Sequence, residues 1–443
     1  MNNISIKRGH DIRITGVPPK EISSIPGSES VAIIPKSFRG VKPKLLVKEG
    51  DQVQIGSPLF FDKTKPNVNW ASPANGSIKT IEFGPRRVIN KIEITVEGSD
   101  AIPGQSFTSE QLSSADRVTV LNRIVDANLF PLIRQRPFNK VANPEEIPRD
   151  IFISAVNTAP LSVDLESVID SDKEAFQAGV TALSRLIKGN VFVTSKNAMD
   201  LQNAVVQTIS GPHPAGNVGI QIHHTKPLKP HDLVWTVDTQ HVIILGKLFL
   251  TGVYQPTVVV TVGGSGATNP QTVSANVGAN IGVLVSNQDL SNPVRLVSGD
   301  VLTGKKVETD QFLGFYDTSV AILSDEVDRP FIGMLAVGSS DTKYSLTNTF
   351  MGFGQKLFKF NTAQNGEERA MVPINAWENV LPMDLYPNAL FRAILAQDID
   401  EMEQLGLWEC DDEDFALCSF ACPSKIDVGE VIRDGLDLLE VEG

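Results

Sequence analysis

The sequence predicts a multidomain protein of α/β and β units, on three observations. Its 443 residues are too many for one hydrophobic core. Gly and Pro cut the first hundred residues into short apolar segments, and from about residue 105 strand and helix periods alternate. Four units follow: a β domain over 1–102, an α/β domain over 103–254, a small mixed β domain over 255–329 and a helical domain over 330–443. No stretch approaches the roughly 20 apolar residues of a spanning helix, and the N-terminus lacks the apolar core of a signal peptide. A direct membrane span is therefore not expected, and any membrane association would run through a partner. Lys and Arg total 39 against 52 Asp and Glu, a net charge of −13. That balance excludes non-specific nucleic-acid binding and direct docking on anionic lipid heads.

In the β domain the informative run is Val47 to Leu59, where Gly50 and Gly56 bracket Val53. Ser72-Pro73-Ala74-Asn75-Gly76 follows about one hairpin later, and the glycines permit the positive-φ turns that fold short strands back. This spacing resembles the flattened barrel-sandwich of biotinyl and lipoyl carrier domains. Such carriers modify a lysine at a hairpin tip, where Lys63 and Lys65 stand here. The Met-Lys or Asp-Lys-Ala context read by the modifying ligases is missing, so a structural barrel is expected; a carrier modified at Lys63 or Lys65 is the rival.

The α/β domain opens with helical period over Ala115–Ala127, with Leu121, Ile124 and Val125 on one face. Ile151–Val156 and Val191–Thr194 have the continuous apolar character of strands buried on both faces, and the runs Val242–Leu245 and Val258–Val262 have the same length. Lys173–Leu186 and Ala198–Ile209 read as helices and Val218–Ile222 as a further strand, giving an open, Rossmann-like sheet.

From Gln255 to Thr309 the segments Thr257–Val262, Val283–Val285 and Val294–Gly299 have the strand-and-turn texture of a small β-grasp unit. Gly263, Gly264 and Gly266 suggest a phosphate loop, but no G-x-G-x-x-G opens a helix and Pro270 interrupts one, so a turn is expected. In the last unit Leu385–Leu405 reads as one helix with Leu390, Ile394 and Leu395 on one side. The acids Asp398, Asp400, Glu401 and Glu403 form a solvated face, and Val428–Glu442 makes a final amphipathic helix.

Three cysteines, Cys410, Cys418 and Cys422 before Pro423, have the outline of a ferredoxin C-x2-C-x2-C-x3-C-P series. A four-iron cluster needs four closely spaced thiolates, and only three are present, so they stand as a degenerate ligand set with no metal expected. Five of the six histidines, His213, His223, His224, His231 and His241, fall close together. Their spacing follows no ligand rule, and His223 and His224 in a strand would face opposite ways, so a structural or inter-domain role is expected. No nucleophile elbow, kinase or P-loop series is present and no catalytic residue is expected.

A set of segments in fixed order resembles the family of A-type subunits of the bacterial Na+-translocating NADH:quinone reductases. They are Lys42-Pro43 with Leu46–Asp51 and Phe61–Lys63; Arg134 to Phe138; Gly211–Asn217 with Ile222 and His223; and Val234–Thr236. Ile244 with Gly246–Phe249, Glu368–Pro373, and Glu413 to Pro423 complete it, spanning some 380 residues; His241 departs from it, standing where an acid is expected.

The resemblance implies a peripheral subunit on the cytoplasmic side of the bacterial inner membrane. Its partners would be five other subunits, B to F, chiefly the membrane-embedded B component. The complex would carry electrons from NADH to ubiquinone with Na+ export. It implies no cofactor in this chain, with NAD, FAD, FMN, riboflavin and iron–sulfur centres elsewhere in the complex, and a β-grasp ligand-binding (SLBB-like) fold for the third unit.

The family is similar in turn to the flavin-bearing, NADH-oxidising subunits of respiratory complex I and the Rnf complex. There a G-x-G-G-A-G-F-P-T loop cradles flavin phosphate; here Asn128–Phe138 and Asn157–Pro160 put bulky residues and prolines at the corresponding places. Arg134, Arg136 and Phe138 are the expected lining of a quinone or partner cavity, the alternative being a loop salt-bridged to its own domain. An Rnf-like electron-transfer subunit that still binds flavin and an iron–sulfur cluster is the alternative function.

Overall fold

A computed structural model describes residues 2–326, 335, 341, 343–347 and 356–443. The boundary expected at 329/330 lies outside them. Among the described residues there are four sheets, and no helix is long and apolar enough to cross a membrane.

The barrel forms as the glycine spacing predicts. Gly50 and Gly56 adopt φ 85° and 94°, values an L side chain rarely takes. A four-stranded sheet (Ser30–Ile33, Ile89–Val96, Gly76–Phe83, Gln52–Val53) faces a three-stranded one (Pro43–Leu45, Pro58–Asp62, Lys65–Ala71). Inward residues of both, among them Val31, Leu59, Ile78 and Ile92, bury one core in which Phe60 stacks on Trp70 at 4.6 Å. Lys63 and Lys65 do flank the hairpin turn, but Lys65 donates through Nζ to the Val141 carbonyl (2.8 Å) of the next unit.

Residues assigned to the first unit also serve the others. Asn2–Ser5 joins the edge of the central sheet, parallel to Val205–Ser210, and Ile22–Ser23 pairs with Gln271–Asn276 in the third sheet. The central seven-stranded sheet runs Asn2–Ser5, Val205–Ser210, Val191–Ser195, Ile151–Ser154, Val234–Val237, Ile133–Arg136, Lys140–Val141. The first five are parallel, Ile133–Arg136 runs antiparallel to them, and Lys140–Val141 turns back antiparallel to Ile133–Arg136. Helices Lys173–Arg185 and Thr239–Thr251 pack together against it, crossing where Gly179 and Gly246 let backbone meet backbone.

Three expectations in this unit are overturned. Ala198–Ile209 is no helix: Asn203 sits at φ 62°, and the β-branched run from Val205 pairs as a strand. Val218–Ile222 lies in a helix, Val218–Thr225, whose i,i+4 pair Val218 and Ile222 packs with Phe152 and Phe192 of the sheet. His223 and His224 are therefore helical neighbours, with ring centroids 5.2 Å apart, rather than opposed residues of a strand. Val242–Leu245 is the buried middle of the helix Thr239–Thr251, because a short apolar run carries no period that separates the two forms.

The third sheet is mixed, in the order Lys305–Val307, Val294–Ser298, Ser319–Ser324, Thr257–Gly263, Gln271–Asn276, Ile22–Ser23. The strand ends at Gly263 and a turn follows from Gly264 to Ala267, as expected; a Cβ at Gly263 or Gly264 would run into the Gly16 or Ile322 carbonyl oxygen. Val283 lies in a one-turn helix, Ile281–Leu284, capped by Asn280.

In the C-terminal residues the expected single helix is two, Pro387–Ala396 and Ile399–Gln404. Gln397 turns left-handed (φ 56°) and Asp398 caps the second. Leu390 and Ile394 are buried, but Leu395 faces outward. Val428–Glu442 is a helix as predicted, and packs with Asp412–Ala421.

Candidate functional site: a buried arginine–carboxylate junction

Arg134 and Arg136 alternate with Ile133 and Gln135 along one strand, which puts both arginines on the same face. Phe138 and Asn139 then take left-handed values (φ 75° and 50°), turning the chain back into Lys140–Val141. This hairpin meets the start of the helix Asp412–Ala421, where four acids stand in succession from Asp411 to Asp414.

Arg136 is 2% exposed. Its Nη1 lies 3.1 Å from Asp411 and 3.9 Å from Asp414, and its Nη2 donates to Glu413 at 2.5 Å. The Nη1 contacts are ones of charge, since neither Nη1 nor Nε makes a hydrogen bond of good geometry. Arg39 of the barrel reaches Asp411 (3.4 Å) and Asp412 (2.5 Å), and Arg433 of the last helix reaches the same two (3.4 and 3.7 Å). Asn139 donates to Asp411 at 2.7 Å, and Arg433 to the Phe138 carbonyl at 3.0 Å. Three guanidiniums from three parts of the chain thus face four carboxylates.

The excess of carboxylates favours protonation of the most deeply buried of them. Burial, which outweighs Arg136, pushes Asp411 up to about 7 and Asp414 well above the usual carboxylate range. Burial works against the Arg136 charge, yet Asp411, Glu413 and Asp414 hold it firmly protonated. Asp414 fits only because residue 219 is glycine, where any Cβ would strike its carboxylate.

A raised carboxylate pKa gives stability that is complete below the unfolded value and is lost as pH rises to the folded one. From pH 4 to 7, wild type should therefore lose stability relative to Asp411→Asn, by at most about 1.4 kcal/mol per pH unit. His213 and His241, lowered by burial to about 4, slope the other way but cancel between the two proteins. Urea unfolding at a series of pH values checks this, and parallel profiles would refute it.

The other predicted residues fall around this junction. Arg134 reaches Asp238 at 2.9 Å and lies 4.7 Å over the Tyr316 ring. Phe138 packs edge-on against Trp408 (5.5 Å). Cys410 adjoins the acids and points Sγ at the Gly406 carbonyl (3.7 Å), while Cys418 points at the Trp377 carbonyl (3.9 Å); all three cysteines are buried and unlinked. Burial pushes the Cys410 and Cys418 thiols up, the opposite of a ligating thiolate.

The histidines bridge units. Asp384 N–H donates to His223 Nε2, so Nδ1 carries the proton accepted by Glu409 at 2.7 Å. His224 bonds the Pro382 carbonyl at 2.8 Å. Among the described residues no His, Cys, Asp and Glu group could hold a metal ion. Sequence reasoning missed Arg39, Arg433 and Asp411 to Asp414 as a unit. The signal was the four-acid run at a helix start, a pattern that ordinarily marks a solvated first turn.

The modules have counterparts. The NqrA N-terminal barrel-sandwich hybrid domain matches residues 4–97, the NqrA second alpha/beta domain 115–254 and the NQRA C-terminal domain 259–309. Barrel, α/β sheet and small mixed sheet in that order place the chain in the class of NqrA-type multidomain proteins. It is 37% identical over 448 residues to the A-type subunit of the Na(+)-translocating NADH-quinone reductase of Saccharophagus degradans, covering 99% of this chain and 100% of the relative. With the corresponding protein of Pasteurella multocida it is 38% identical over 447 residues, covering 99% and 100%. The chain belongs to the NqrA family, the A-type subunits of the Na+-translocating NADH-quinone reductase. A solved NAD+-reducing [NiFe]-hydrogenase aligns over 51% of this chain and 52% of its own at 11% identity and TM-score 0.34, too remote to bear on fold or function.

Proposed function

We propose that this chain is the peripheral A-type subunit of a Na+-translocating NADH:ubiquinone reductase, a scaffold without a redox cofactor of its own. It sits on the cytoplasmic side of the bacterial inner membrane and docks chiefly on the membrane-embedded B component among partners B to F. The observation that carries this reading is identity of 37–38% along the full length of both chains. In the complex, electrons pass from NADH to ubiquinone with Na+ export. NAD, FAD, FMN, riboflavin and iron–sulfur centres belong to the other subunits. Two features support a cofactor-free chain. Phe130, Pro131 and Leu132 fill the segment where a glycine loop would approach a phosphate, and burial pushes the Cys410 and Cys418 thiols up, away from the thiolate form a cluster needs.

The helical C-terminal unit, held by the junction, gives the scaffold a fixed shape. Arg136 is committed to its own carboxylates, and a partner segment or quinone that met Arg134 and Phe138, both partly buried, would compete with the Asp238 carboxylate and the Trp408 ring that now hold them. An Rnf-like flavin and iron–sulfur carrier is not favoured by the full-length likeness.

The test is capture of the tagged chain from detergent-solubilised membranes of its host, assayed for NADH:quinone reductase activity with and without Na+. Membrane subunits and Na+-stimulated turnover are expected. A lone chain without partners would overturn membership of a complex, and a yellow-brown chain with bound flavin or iron would overturn the cofactor-free reading.

A further inference from the structure

Between barrel and α/β sheet lies a cleft of about 400 Å³, walled by the 102–107 linker and the helices Arg117–Asp126 and Thr239–Thr251. That volume is in the range of small-molecule sites. It is remote in sequence from the acidic junction and shares no residue with it.

Two donors distinguish it from a packing gap. Arg123 donates through Nε to the Gln105 carbonyl (3.0 Å) and through Nη2 to the Gly252 carbonyl (2.7 Å). The guanidinium is thus fixed on the wall by two neutral oxygens; no carboxylate among the described residues lies within 4 Å of it, although the Asp126 charge three residues along the helix also acts on it, and Nη1 makes neither bond. Gly104 leaves room for it, since a Cβ there would come within 2.5 Å of Nη2. Tyr254, 4% exposed as a residue, lines the same cleft; its hydroxyl makes no hydrogen bond to a described protein group and is open to solvent in the cleft. Tyr254 also lines a narrower void behind, where the Trp70 Nε1 is likewise unpartnered. Ile102, Phe107 and Leu248 supply an apolar wall, and Asp126 at the exposed rim disfavours a second negative charge.

We infer that this cleft binds a small monocarboxylate with a flat apolar body. Its carboxylate is met by Arg123 and the Tyr254 hydroxyl, and its hydrocarbon lies on Phe107 and Leu248. Burial keeps the phenol protonated, so it remains a donor. A charge-assisted contact to a fixed guanidinium gives the selectivity for an anion.

The probe is benzoate, titrated into the purified full chain by ligand-observed NMR, with benzamide as its neutral counterpart. Benzoate is expected to bind at least about tenfold more tightly than benzamide. Tyr254→Phe, which removes one oxygen and keeps the ring, should weaken benzoate about three- to tenfold without changing the melting temperature by more than a few degrees. Arg123→Lys should retain part of the affinity that Arg123→Gln loses. No benzoate binding at tens of millimolar, equal affinity for benzamide, or an unaltered Tyr254→Phe titration would each overturn the inference.

Discussion

Arg136→Met is expected to destabilise the chain by about 3–5 kcal/mol, the cost of breaking a buried ion pair by removing one partner. The side chain is 2% exposed and touches three carboxylates, two of them in side chains without solvent contact. Without it, Arg39 and Arg433 are left to balance Asp411, Asp412, Glu413 and Asp414. Methionine fills most of the volume, so charge rather than a void dominates the loss. Arg136→Lys should restore only part of it, since one ammonium cannot span Asp411 and Glu413 as a planar guanidinium does. The junction joins units far apart in the chain, with Arg136 and Glu413 separated by 277 positions. The C-terminal helices should therefore loosen first and become open to protease while the central sheet persists. Adding Glu413→Gln and Asp411→Asn to the Met variant should recover much of the loss, because the unpaired charges go too. Urea unfolding and limited proteolysis are the measurements. A loss below about 1 kcal/mol would mean that the cluster is solvated and carries little energy.

Gly246→Ala should be of comparable size for a steric reason. A Cβ at 246 would overlap the Ala175 carbonyl oxygen and stand 2.9 Å from the Gly179 nitrogen. The obstacle is helix backbone, which cannot rotate away as a side chain can. The helices Lys173–Arg185 and Thr239–Thr251 must therefore separate, opening the packing of Leu245 and Phe249, both buried. Alanine's better helix propensity returns about 1 kcal/mol, against overpacking of about 3 kcal/mol for backbone with no room to move. A net loss of at least about 2 kcal/mol is expected in chemical denaturation. Gly179→Ala should behave alike, its Cβ running into the Val242 carbonyl oxygen. Gly40→Ala, with open space around it, tests backbone strain alone and should cost about 1 kcal/mol (φ 69°). A neutral Gly246→Ala would show that the helices can part freely.

Much of this fold was legible where a local period is long or a residue type is obligatory. Lys173–Arg185 and Val428–Glu442 show helical spacing over three or more turns, and Gly50 and Gly56 mark turns that only a positive φ can make. The order of family-like segments from Lys42 to Pro423 was enough to indicate the family. The candidate site was half legible. Arg134, Arg136 and Phe138 were singled out, but as the wall of a cavity rather than the core of a junction. An arginine's spacing says nothing about which acids it will meet.

By itself the sequence determined the barrel-sandwich, the α/β unit and the small mixed β unit, their order and the family, because these rest on local period, turn chemistry and motif order. Only the tertiary structure decided the equivocal segments. Val205–Ser210 became a strand because two neighbours offered it hydrogen bonds, and Val218–Thr225 a helix because its i,i+4 face covers the sheet. The start of the chain joined a sheet about 200 residues distant, and three arginines converged on one acidic turn. Such pairings reward contacts between residues far apart in the chain, and no local window of sequence contains their energy.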